Sequence, residues 1–368
     1  MSLGERLDYS KPNEYAEEAI KVLSDKDEIV LFGAAEYGKI ICDYLLSHNI
    51  KPLCYSDNSI EKIGGIWNGL NIISPDKINK NQFVVITCNA FREITNQLTG
   101  YGLEEDQVFY FDVKWLTHPD GKGKFILDHI DDFENVYHYL EDEKSRHVFL
   151  NLLNYKLTYK KEYVSAVADE GQYFDPELVK LPKETFFIDA GSYIGDTIQE
   201  FVRFSGGEYG KIICMEPVKS NIDLIKKLVN RNGYQEVDIF AVGASDREKI
   251  LYFDSNSGMS ARPSKVGDTK VECDSIDRIC EKNAYERIDF IKMDIEGSEY
   301  DALIGAENVI KEYHPILAIC VYHKEDDFYK IPNLIKKIYP GYKIYFRQYE
   351  LSDEETVCYA IPQKQEKS

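Results

Sequence analysis

The chain has 368 residues, which is too long for one typical hydrophobic core and predicts two domains. Hydrophobic residues make up 43% of the sequence and charged residues 29%, proportions that are typical of a globular protein. The formal net charge of −20 disfavours unspecific binding to DNA, RNA or anionic lipid, because these polymers and surfaces are themselves negative.

The cysteines and the N-terminal region bear on the compartment. The eight cysteines form no CxxC pair, and most lie in apolar runs such as IICME and LAICVY. This placement is typical of small core residues in a reducing compartment, not of a disulfide or zinc framework. The first residues are polar and no apolar run reaches the length of a membrane span, so the sequence predicts a cytoplasmic protein without a standard signal peptide.

The first block, about residues 12–113, alternates apolar runs with amphipathic segments. The runs EIVLFG, KPLCYSD, NQFVVITC and QVFYFD predict four strands, and the segments between them predict helices. This alternation is typical of a parallel sheet with right-handed crossovers. We therefore expect a small N-terminal Rossmann-like α/β domain over these residues.

A glycine motif in the first block raises the question of nucleotide binding. GAAEYG at 33–38 has the spacing of a dinucleotide-binding loop, and Asp57 ends the next strand. Ala35 occupies the middle glycine position, where a methyl group hinders the approach of a pyrophosphate, and Glu36 carries the wrong charge. Two interpretations stay open: a nucleotide or nucleotide-sugar site, and a scaffold whose glycines serve only helix–strand packing.

The pattern changes between residues 114 and 182. This stretch is rich in tyrosine and charge, and its apolar residues are spaced as in a helix, for example Phe149, Leu152 and Leu153. The spacing predicts helices that pack on a neighbour. We expect a helical connector here. Its last residues, QYF at 172–174, precede the next strand and are placed to fold over a bound cofactor.

The second block, about residues 183–362, contains seven apolar runs that predict strands. They are FFIDAG, KIICMEP, VDIFAVGAS, FIKMDIEG, ILAICVYH, YKIYFRQY and TVCYAIP. The runs at the C-terminal end are arranged like a hairpin. A sheet of seven strands with this end matches the layout of the class I methyltransferase fold, and we predict that α/β fold for the block.

The stretch FFIDAGSYIGDTIQEF at 186–201 is the most informative part of the chain. It predicts a buried strand, a glycine turn with Asp189, and a helix that begins at Asp196. In an open α/β sheet, such a unit places a ligand at the carboxyl end of the strand. Glu216 ends the next apolar run, where a carboxylate can bind the hydroxyls of a ribose. The stretch therefore predicts a nucleoside site.

The charges of this loop favour one nucleoside over the others. Asp189 and Asp196, at the two ends of the turn, would repel a pyrophosphate. S-adenosylmethionine has no phosphate and carries a sulfonium and an ammonium, which nearby acids attract. The alternative is that the two acids are only turn and N-cap residues. The predicted cofactor residues are Asp189, Gly191, Ser192, Gly195, Asp196, Thr197, Glu216, Gly243 and Ser245.

Two further strand ends carry groups suited to the reaction itself. Asp294 and Glu296 lie in KMDIEGSE, and His323 follows the next strand, so all three are expected at the ligand edge of the sheet. The carboxylates can orient an acceptor hydroxyl, contact the ammonium of the cofactor, hold a divalent cation or merely cap a helix. A neutral imidazole, with its usual pKa of about 6.5, can take a proton from a hydroxyl, although a lone histidine is more often structural. We take the three as catalytic candidates and assign no metal site.

The motifs of the second block together resemble those of the FkbM family of S-adenosylmethionine-dependent methyltransferases. The motifs are QYFDPEL, ETFFIDAGSYIGDT, KIICMEP, FIKMDIEGSEYDALIGA, LAICVYHKEDDFYKIP and YFRQYE, and they cover about residues 170–362. The resemblance implies a class I Rossmann-like fold and O-methylation of a hydroxyl on a sugar or polyketide-derived product. By position, it implies a methionine side at Asp189, Gly191 and Gly195, a ribose side at Glu216 and a reaction centre at Asp294, Glu296 and His323.

The sequence thus predicts an S-adenosylmethionine-dependent O-methyltransferase with His323 as candidate general base. Its acceptor is expected to be a sugar, a glycan or a secondary metabolite, and no nucleic acid is expected as a partner. Two alternatives remain: a NAD-dependent oxidoreductase using residues 33–57, and a nucleotide-sugar-binding or scaffold protein. Ala35 and Glu36 argue against the first, and clustered titratable groups at one sheet edge argue against the second.

Overall fold

The computed structural model describes residues 2–10, 14–88, 90–117, 122–253 and 269–363, so the predicted domain start at residue 12 lies outside the described residues. The chain divides into two compact units. Unit 1 comprises Met1–Ile130, Leu150–Ala168 and Glu350–Asp353, and unit 2 comprises Asp131–Phe149, Asp169–Tyr349 and Glu354–Ser368. The stretch expected as a connector is thus divided between the two units. Among the helices of the described ranges, none is long and apolar enough to cross a membrane.

Unit 1 contains a six-stranded sheet. Its strands are β1 (Ile29–Phe32), β2 (Cys54–Ser56), β3 (Ile66–Trp67), β4 (Leu70–Ile73), β5 (Phe83–Ile86) and β6 (Val108–Tyr110). The order is β3-β4-β2-β1-β5-β6, and all pairs are parallel except β3 with β4. The four predicted strands are confirmed, and the short β3–β4 hairpin is an addition that the sequence did not predict.

Eight α-helices are described between Glu14 and Ser165, and most of α6 and the first part of α7 belong to unit 2. In chain order they are α1 (Glu14–Leu23), α2 (Glu36–Ser47), α3 (Phe91–Gly100), α4 (Val113–Thr117), α5 (Gly123–Asp128), α6 (Ile130–Tyr139), α7 (Glu143–Thr158) and α8 (Lys161–Ser165). β1 is buried at all four positions, as expected for a strand that helices cover on both faces. Its apolar residues therefore explain why it lies in the middle of the sheet.

The glycine motif of unit 1 has a packing explanation. A Cβ atom on Gly38 would lie 2.0 Å from the carbonyl oxygen of Gly33, so only glycine lets α2 begin this close to β1. Asp57 accepts a hydrogen bond from the N–H of Ala34 at 2.9 Å and pairs with Lys62 at 2.9 Å. The acid that would bind a ribose in a dinucleotide site is thus engaged with its own loop, which supports the scaffold interpretation.

Unit 2 contains a seven-stranded sheet and a separate three-stranded sheet. Its strands are β7 (Phe186–Ala190), β8 (Lys211–Met215), β9 (Val237–Phe240), β10 (Gly243–Ala244), β11 (Lys249–Phe253), β12 (Thr269–Asp274), β13 (Phe290–Met293), β14 (Ile316–Cys320), β15 (Tyr342–Gln348) and β16 (Thr356–Pro362). The large sheet has the order β15-β16-β14-β13-β7-β8-β9. Among the described strands of this sheet, β16 pairs antiparallel with both β14 and β15, and all other pairs are parallel. The seven predicted strands and the terminal hairpin are confirmed.

The connections of unit 2 place helices against the large sheet. They are α9 (Asp196–Phe204), α10 (Lys219–Asn232), α11 (Ile276–Asn283), α12 (Glu299–Ile304), α13 (Glu307–Tyr313) and α14 (Asp327–Ile338). An aromatic cluster fills the space between the sheet and α9: the Phe187 ring lies 4.5 Å from that of Phe201 and 5.2 Å from that of Phe290. The core thereby fixes β7 and β13 side by side, with their carboxyl ends at one edge.

Candidate active site

The carboxyl ends of the parallel strands in unit 2 border a cavity of about 760 Å³. The predicted cofactor residues that line it are Gly191, Asp196, Thr197, Glu216 and Gly243. The catalytic candidates Asp294 and Glu296 line it as well. Residues from three separate motifs of the sequence therefore meet at one site, because parallel strands end at the same edge of a sheet.

The loop after β7 depends on two glycines with positive φ. Gly191 has a φ of +79°, and a Cβ atom there would lie 1.9 Å from the carbonyl oxygen of Asp294. Gly195 has a φ of +90°, and a Cβ atom there would lie 2.7 Å from the Leu228 side chain. Ser192 is buried and donates its hydroxyl to the carbonyl oxygen of Asp189 at 2.7 Å. Gly195 and Ser192 thus shape the loop, whereas Gly191 brings it against the end of β13.

Asp189 lies beneath this loop and pairs with Lys292, a residue that the sequence analysis missed. Lys292 is the register partner of Asp189 on β13, and its Nζ lies 3.1 Å from Asp189 Oδ1. Nζ also donates to the carbonyl oxygen of Gly191 at 2.7 Å. Burial lowers the pKa of Lys292, but the carboxylates of Asp189 and Asp294 raise it more, so the ammonium stays charged. Asp189 therefore acts on the loop through Lys292.

Glu216 connects the loop to the start of α10. Its Oε2 accepts the N–H of Tyr193 at 3.0 Å, and its Oε1 accepts the N–H of Val218 at 2.8 Å. Burial raises the pKa of this carboxyl, and the hydrogen bonds to it act in the opposite direction. Glu216 lines the cavity, so its position fits both a tie between two loops and a ligand for ribose hydroxyls.

The two predicted residues after β9 have different positions. Gly243 lies in β10 and lines the cavity. Ser245 is buried, its N–H donates to the carbonyl oxygen of Asp274 at 3.0 Å, and it is not among the residues that line the cavity. A Cβ atom on Gly305 would lie 2.0 Å from the Ser245 carbonyl oxygen. Ser245 thus packs against the end of α12, and a direct cofactor contact is better assigned to Gly243.

Asp294, Glu296 and His323 form a cluster with Glu299 (the acid–histidine cluster). His323 Nε2 lies 3.4 Å from Asp294 Oδ1 and 3.6 Å from Glu296 Oε2. The other ring nitrogen, Nδ1, lies 3.0 Å from Glu299 Oε1. Glu299 is fully buried at the start of α12, and nothing in the sequence distinguishes it from an ordinary acid at a helix N-terminus.

The charge state of His323 differs from the sequence-based expectation. Burial lowers the pKa of the ring, but Glu299, Asp294 and Glu296 raise it to about 9. The imidazole is therefore protonated at neutral pH, whereas a general base has to be neutral. His323 also lies behind Asp294 and Glu296 and is not among the residues that line the cavity. The expectation of a neutral imidazole is corrected because three carboxylates surround the ring.

Asp294 is held by two tyrosines. Tyr173 donates its hydroxyl to Oδ2 at 2.8 Å, and Tyr322 donates to Oδ1 at 3.1 Å. Burial raises the pKa of Asp294, but Lys292, His323 and the two hydroxyl groups together lower it below its ordinary value. The carboxylate is thus charged and fixed in direction. Tyr173 belongs to the predicted QYF segment and, together with Gln172, lines the cavity.

The turn after β13 is strained at the residue that points to the cavity. Glu296 has a φ of +54°, a conformation that costs a residue with a side chain about 1–2 kcal/mol. Gly297 follows with a φ of +92°. Glu299 Oε1 accepts the N–H of Ile295 at 2.8 Å and thereby holds the turn. The side chain of Glu296 is half exposed, so it reaches solvent at the cavity.

Two parts of the chain match models of known protein families. Residues 189–343 match the family model described as the methyltransferase FkbM domain. Residues 25–109 match the model described as C2185-like, N-terminal. A search of curated proteins finds no match to the chain.

Solved structures show the fold. The crystal structure of methyltransferase FkbM from Methylobacillus flagellatus KT is similar with a TM-score of 0.66 and 22% identity, covering 96% of this chain and 94% of that one. A putative methyltransferase from Streptococcus mutans in complex with SAH has a TM-score of 0.32 and 11% identity, over 54% of this chain and 94% of that one. Fibrillarin from Aeropyrum pernix, with bound S-adenosyl-L-methionine, has a TM-score of 0.32 and 12% identity, over 50% of this chain and 70% of that one.

The first of these structures confirms the predicted fold class, with a class I methyltransferase sheet of Rossmann type in unit 2 and a mainly parallel α/β sheet in unit 1. The family model spans the loop after β7, the end of β13 and His323. Residues 189–343 are therefore a methyltransferase FkbM domain.

Proposed function

We propose that this protein transfers a methyl group from S-adenosylmethionine to a hydroxyl of a sugar, a glycan or a secondary metabolite. The observation that carries the proposal is that one cavity is lined by Gly191, by Glu216 and by two acids of the acid–histidine cluster, Asp294 and Glu296. A cofactor whose ribose lies at Glu216 and whose methionine lies at Gly191 would have its methyl group near Asp294 and Glu296. The acceptor hydroxyl would then enter from the side of Glu296, which is half exposed.

The charges that line the cavity support this cofactor over a dinucleotide. The acids that line the cavity include Asp196, Glu216, Asp294 and Glu296. Lys292 is the one lysine or arginine among the described residues that line it. That ammonium is paired with Asp189. A pyrophosphate would thus meet acids and no available cation, whereas a sulfonium and an ammonium are attracted to them.

The transfer would be a direct displacement. The acceptor oxygen attacks the methyl carbon, the carbon–sulfur bond breaks, its electron pair stays on sulfur, and S-adenosylhomocysteine is left. The hydroxyl proton would go to the carboxylate of Glu296 and then to water. Asp294, fixed by Tyr173 and Tyr322, would orient the hydroxyl, and His323 would hold the two carboxylates in place. Positioning would supply most of the acceleration, and proton removal about 10²–10⁴-fold.

Calorimetric titration with S-adenosylhomocysteine tests the proposal, with NADH titrated in parallel. We expect one S-adenosylhomocysteine per chain and no binding of NADH. Binding of NADH alone would favour an oxidoreductase that uses residues 33–57. Binding of neither compound to folded protein would favour a scaffold or nucleotide-sugar-binding role. Positive binding would justify a screen of hydroxylated acceptors with methyl-labelled cofactor.

A further inference from the structure

We propose that Asp294, Glu299 and His323 form a binding site for one divalent transition-metal ion. Each of the three offers a ligand atom, and these atoms all lie within 4.8 Å of one another. They come from three places that the sheet brings together: the end of β13, the first residue of α12 and the loop after β14. An imidazole nitrogen with two carboxylate oxygens is a common ligand set for metals in enzymes.

Glu299 gives an independent indication of a missing ligand. Its side chain is fully buried, yet Oε2 has no hydrogen-bond partner among the described residues. Buried carboxylate oxygens are nearly always paired, so an orphaned one points to a group that the chain itself does not supply. The other oxygen is held in place by the N–H of Ile295 at 2.8 Å, which fixes the direction of the carboxylate.

The charges in the cluster point the same way. Asp294, Glu296 and Glu299 surround one histidine. The ammonium of Lys292, which acts on Asp294, is paired with Asp189. A divalent ion would balance two of the three carboxylates, and it would displace one proton from His323, since imidazole coordinates a metal in its neutral form. The ring nitrogen favours an ion such as Mn²⁺ or Zn²⁺ over Ca²⁺ or Mg²⁺, which prefer oxygen ligands.

The position relates the ion to catalysis, and this step rests on the proposed function. Asp294 lines the cavity, while His323 and Glu299 lie behind it. Three protein ligands leave coordination positions open. An acceptor hydroxyl bound there would become more acidic, so its proton would pass more readily to Glu296 before the oxygen attacks the methyl carbon.

The experiment is a titration with Mn²⁺ of the untagged full chain, from which EDTA has first removed bound metal. Binding is measured as the loss of the free-ion signal in electron paramagnetic resonance. We expect one Mn²⁺ per chain and nitrogen modulation from a histidine ring in the spin-echo spectrum. His323→Ala and Glu299→Gln should each weaken binding by at least about tenfold. His129→Ala, which alters a histidine stacked on Phe125 in unit 1, should leave binding unchanged.

Two outcomes would overturn the metal site: no Mn²⁺ binding at millimolar concentration, or binding that both substitutions leave unchanged. If a variant fails to fold, the spin-echo spectrum of the wild-type chain decides, since the absence of histidine modulation would also overturn it. Calorimetry with S-adenosylhomocysteine on the same samples separates the two proposals. Cofactor binding without Mn²⁺ binding contradicts the metal site alone, and Mn²⁺ binding without cofactor binding contradicts the methyltransferase proposal alone.

Discussion

At the scale of single residues, Lys292 is the clearest case of a site residue that sequence reasoning passed over. It interrupts an otherwise apolar strand that is buried at every position, and a buried lysine requires an acid as partner. The register of β13 with β7 puts Asp189 next to it. The signal was present in the letters FIKMD, but its meaning depended on knowing which strand lies alongside.

Lys292→Met tests this ion pair. Removing the ammonium leaves Asp189 charged and buried, so we expect unit 2 to lose about 3–5 kcal/mol of unfolding free energy and to bind S-adenosylhomocysteine poorly. Urea unfolding followed by circular dichroism measures the loss. The double variant Asp189→Asn with Lys292→Met should recover part of it, because no unpaired charge remains. Equal stability of Lys292→Met and the wild type would contradict the assignment.

Glu216→Gln tests the ribose contact. A charged hydrogen bond to a buried partner contributes about 1.5–3 kcal/mol, so the affinity for S-adenosylhomocysteine should fall by about 10- to 100-fold in calorimetry. Asp223→Asn is the matched control, because Asp223 is an exposed acid on α10. If Glu216→Gln binds as tightly as the wild type, Glu216 serves only to hold the loops together.

At the scale of elements, the turns after β7 and β13 decide where the site lies. They touch each other through Gly191 and the carbonyl oxygen of Asp294. The spacing of Gly191 and Gly195 predicted a tight turn after β7, but it did not predict the contact of this turn with the turn after β13. That contact places the loop after β7 next to the acid–histidine cluster.

Gly191→Ala tests the close approach of the two turns. Its Cβ would meet backbone at 1.9 Å in addition to the cost of a positive φ, so we expect loss of S-adenosylhomocysteine binding and a lower melting temperature. Gly207→Ala is the control, because Gly207 has the same φ of +79° and no atom within 4 Å of its Cβ position. It should cost only about 1–2 kcal/mol and leave cofactor binding intact. Similar effects of both substitutions would mean that the backbone contact is unimportant.

At the scale of the whole molecule, each unit is built from segments that are distant in the chain, and ionic contacts connect these segments within the unit. In unit 2, buried Arg347 lies 2.8 Å from Asp142 and 3.1 Å from Asp175. In unit 1, Asp353 lies 2.6 Å from Lys114 and 2.8 Å from Lys156. Within each unit, these ionic contacts connect a segment near the C-terminal end of the chain with earlier residues of the region 114–182.

The ion pairs of Asp353 should make the unfolding free energy of unit 1 depend on pH. Burial raises the pKa of its carboxyl, but the two lysines hold it far below the unfolded value of about 3.9. Because the folded state binds the proton more weakly, this stabilisation is present above about pH 4 and is lost as the pH falls further. Asp353→Asn should therefore lower unfolding free energy by about 2–3 kcal/mol at pH 7 and flatten its acid dependence.

The tryptophans allow this prediction to be measured on unit 1 alone. Trp67 and Trp115 are the two tryptophans of the chain, and both belong to unit 1, so their fluorescence follows its unfolding. Asp43→Asn is the control, since Asp43 pairs with Lys39 at the surface and should matter by less than about 1 kcal/mol. If Asp353→Asn keeps the acid dependence of the wild type, other carboxyl groups are responsible for it.

The sequence by itself determined the fold class and the edge where the site lies. Apolar runs set the seven strands of unit 2, and residues that follow parallel strands share one edge, so Asp294, Glu296 and His323 were placed together without coordinates. The β3–β4 hairpin was missed because its strands are short and only partly buried, so the apolar alternation that marks a strand is weak. The three-stranded sheet of β10, β11 and β12 was missed as well.

Only the tertiary structure decided the chemical state of the site. The pKa of His323 depends on Glu299, and the ammonium of Lys292 depends on Asp189, which are contacts across elements that periodicity does not contain. Electrostatic energies fall with distance and grow with burial, and neither quantity can be read from spacing along the chain. The sequence shows which ionisable side chains are present, and packing determines which of them are charged and which residues they contact.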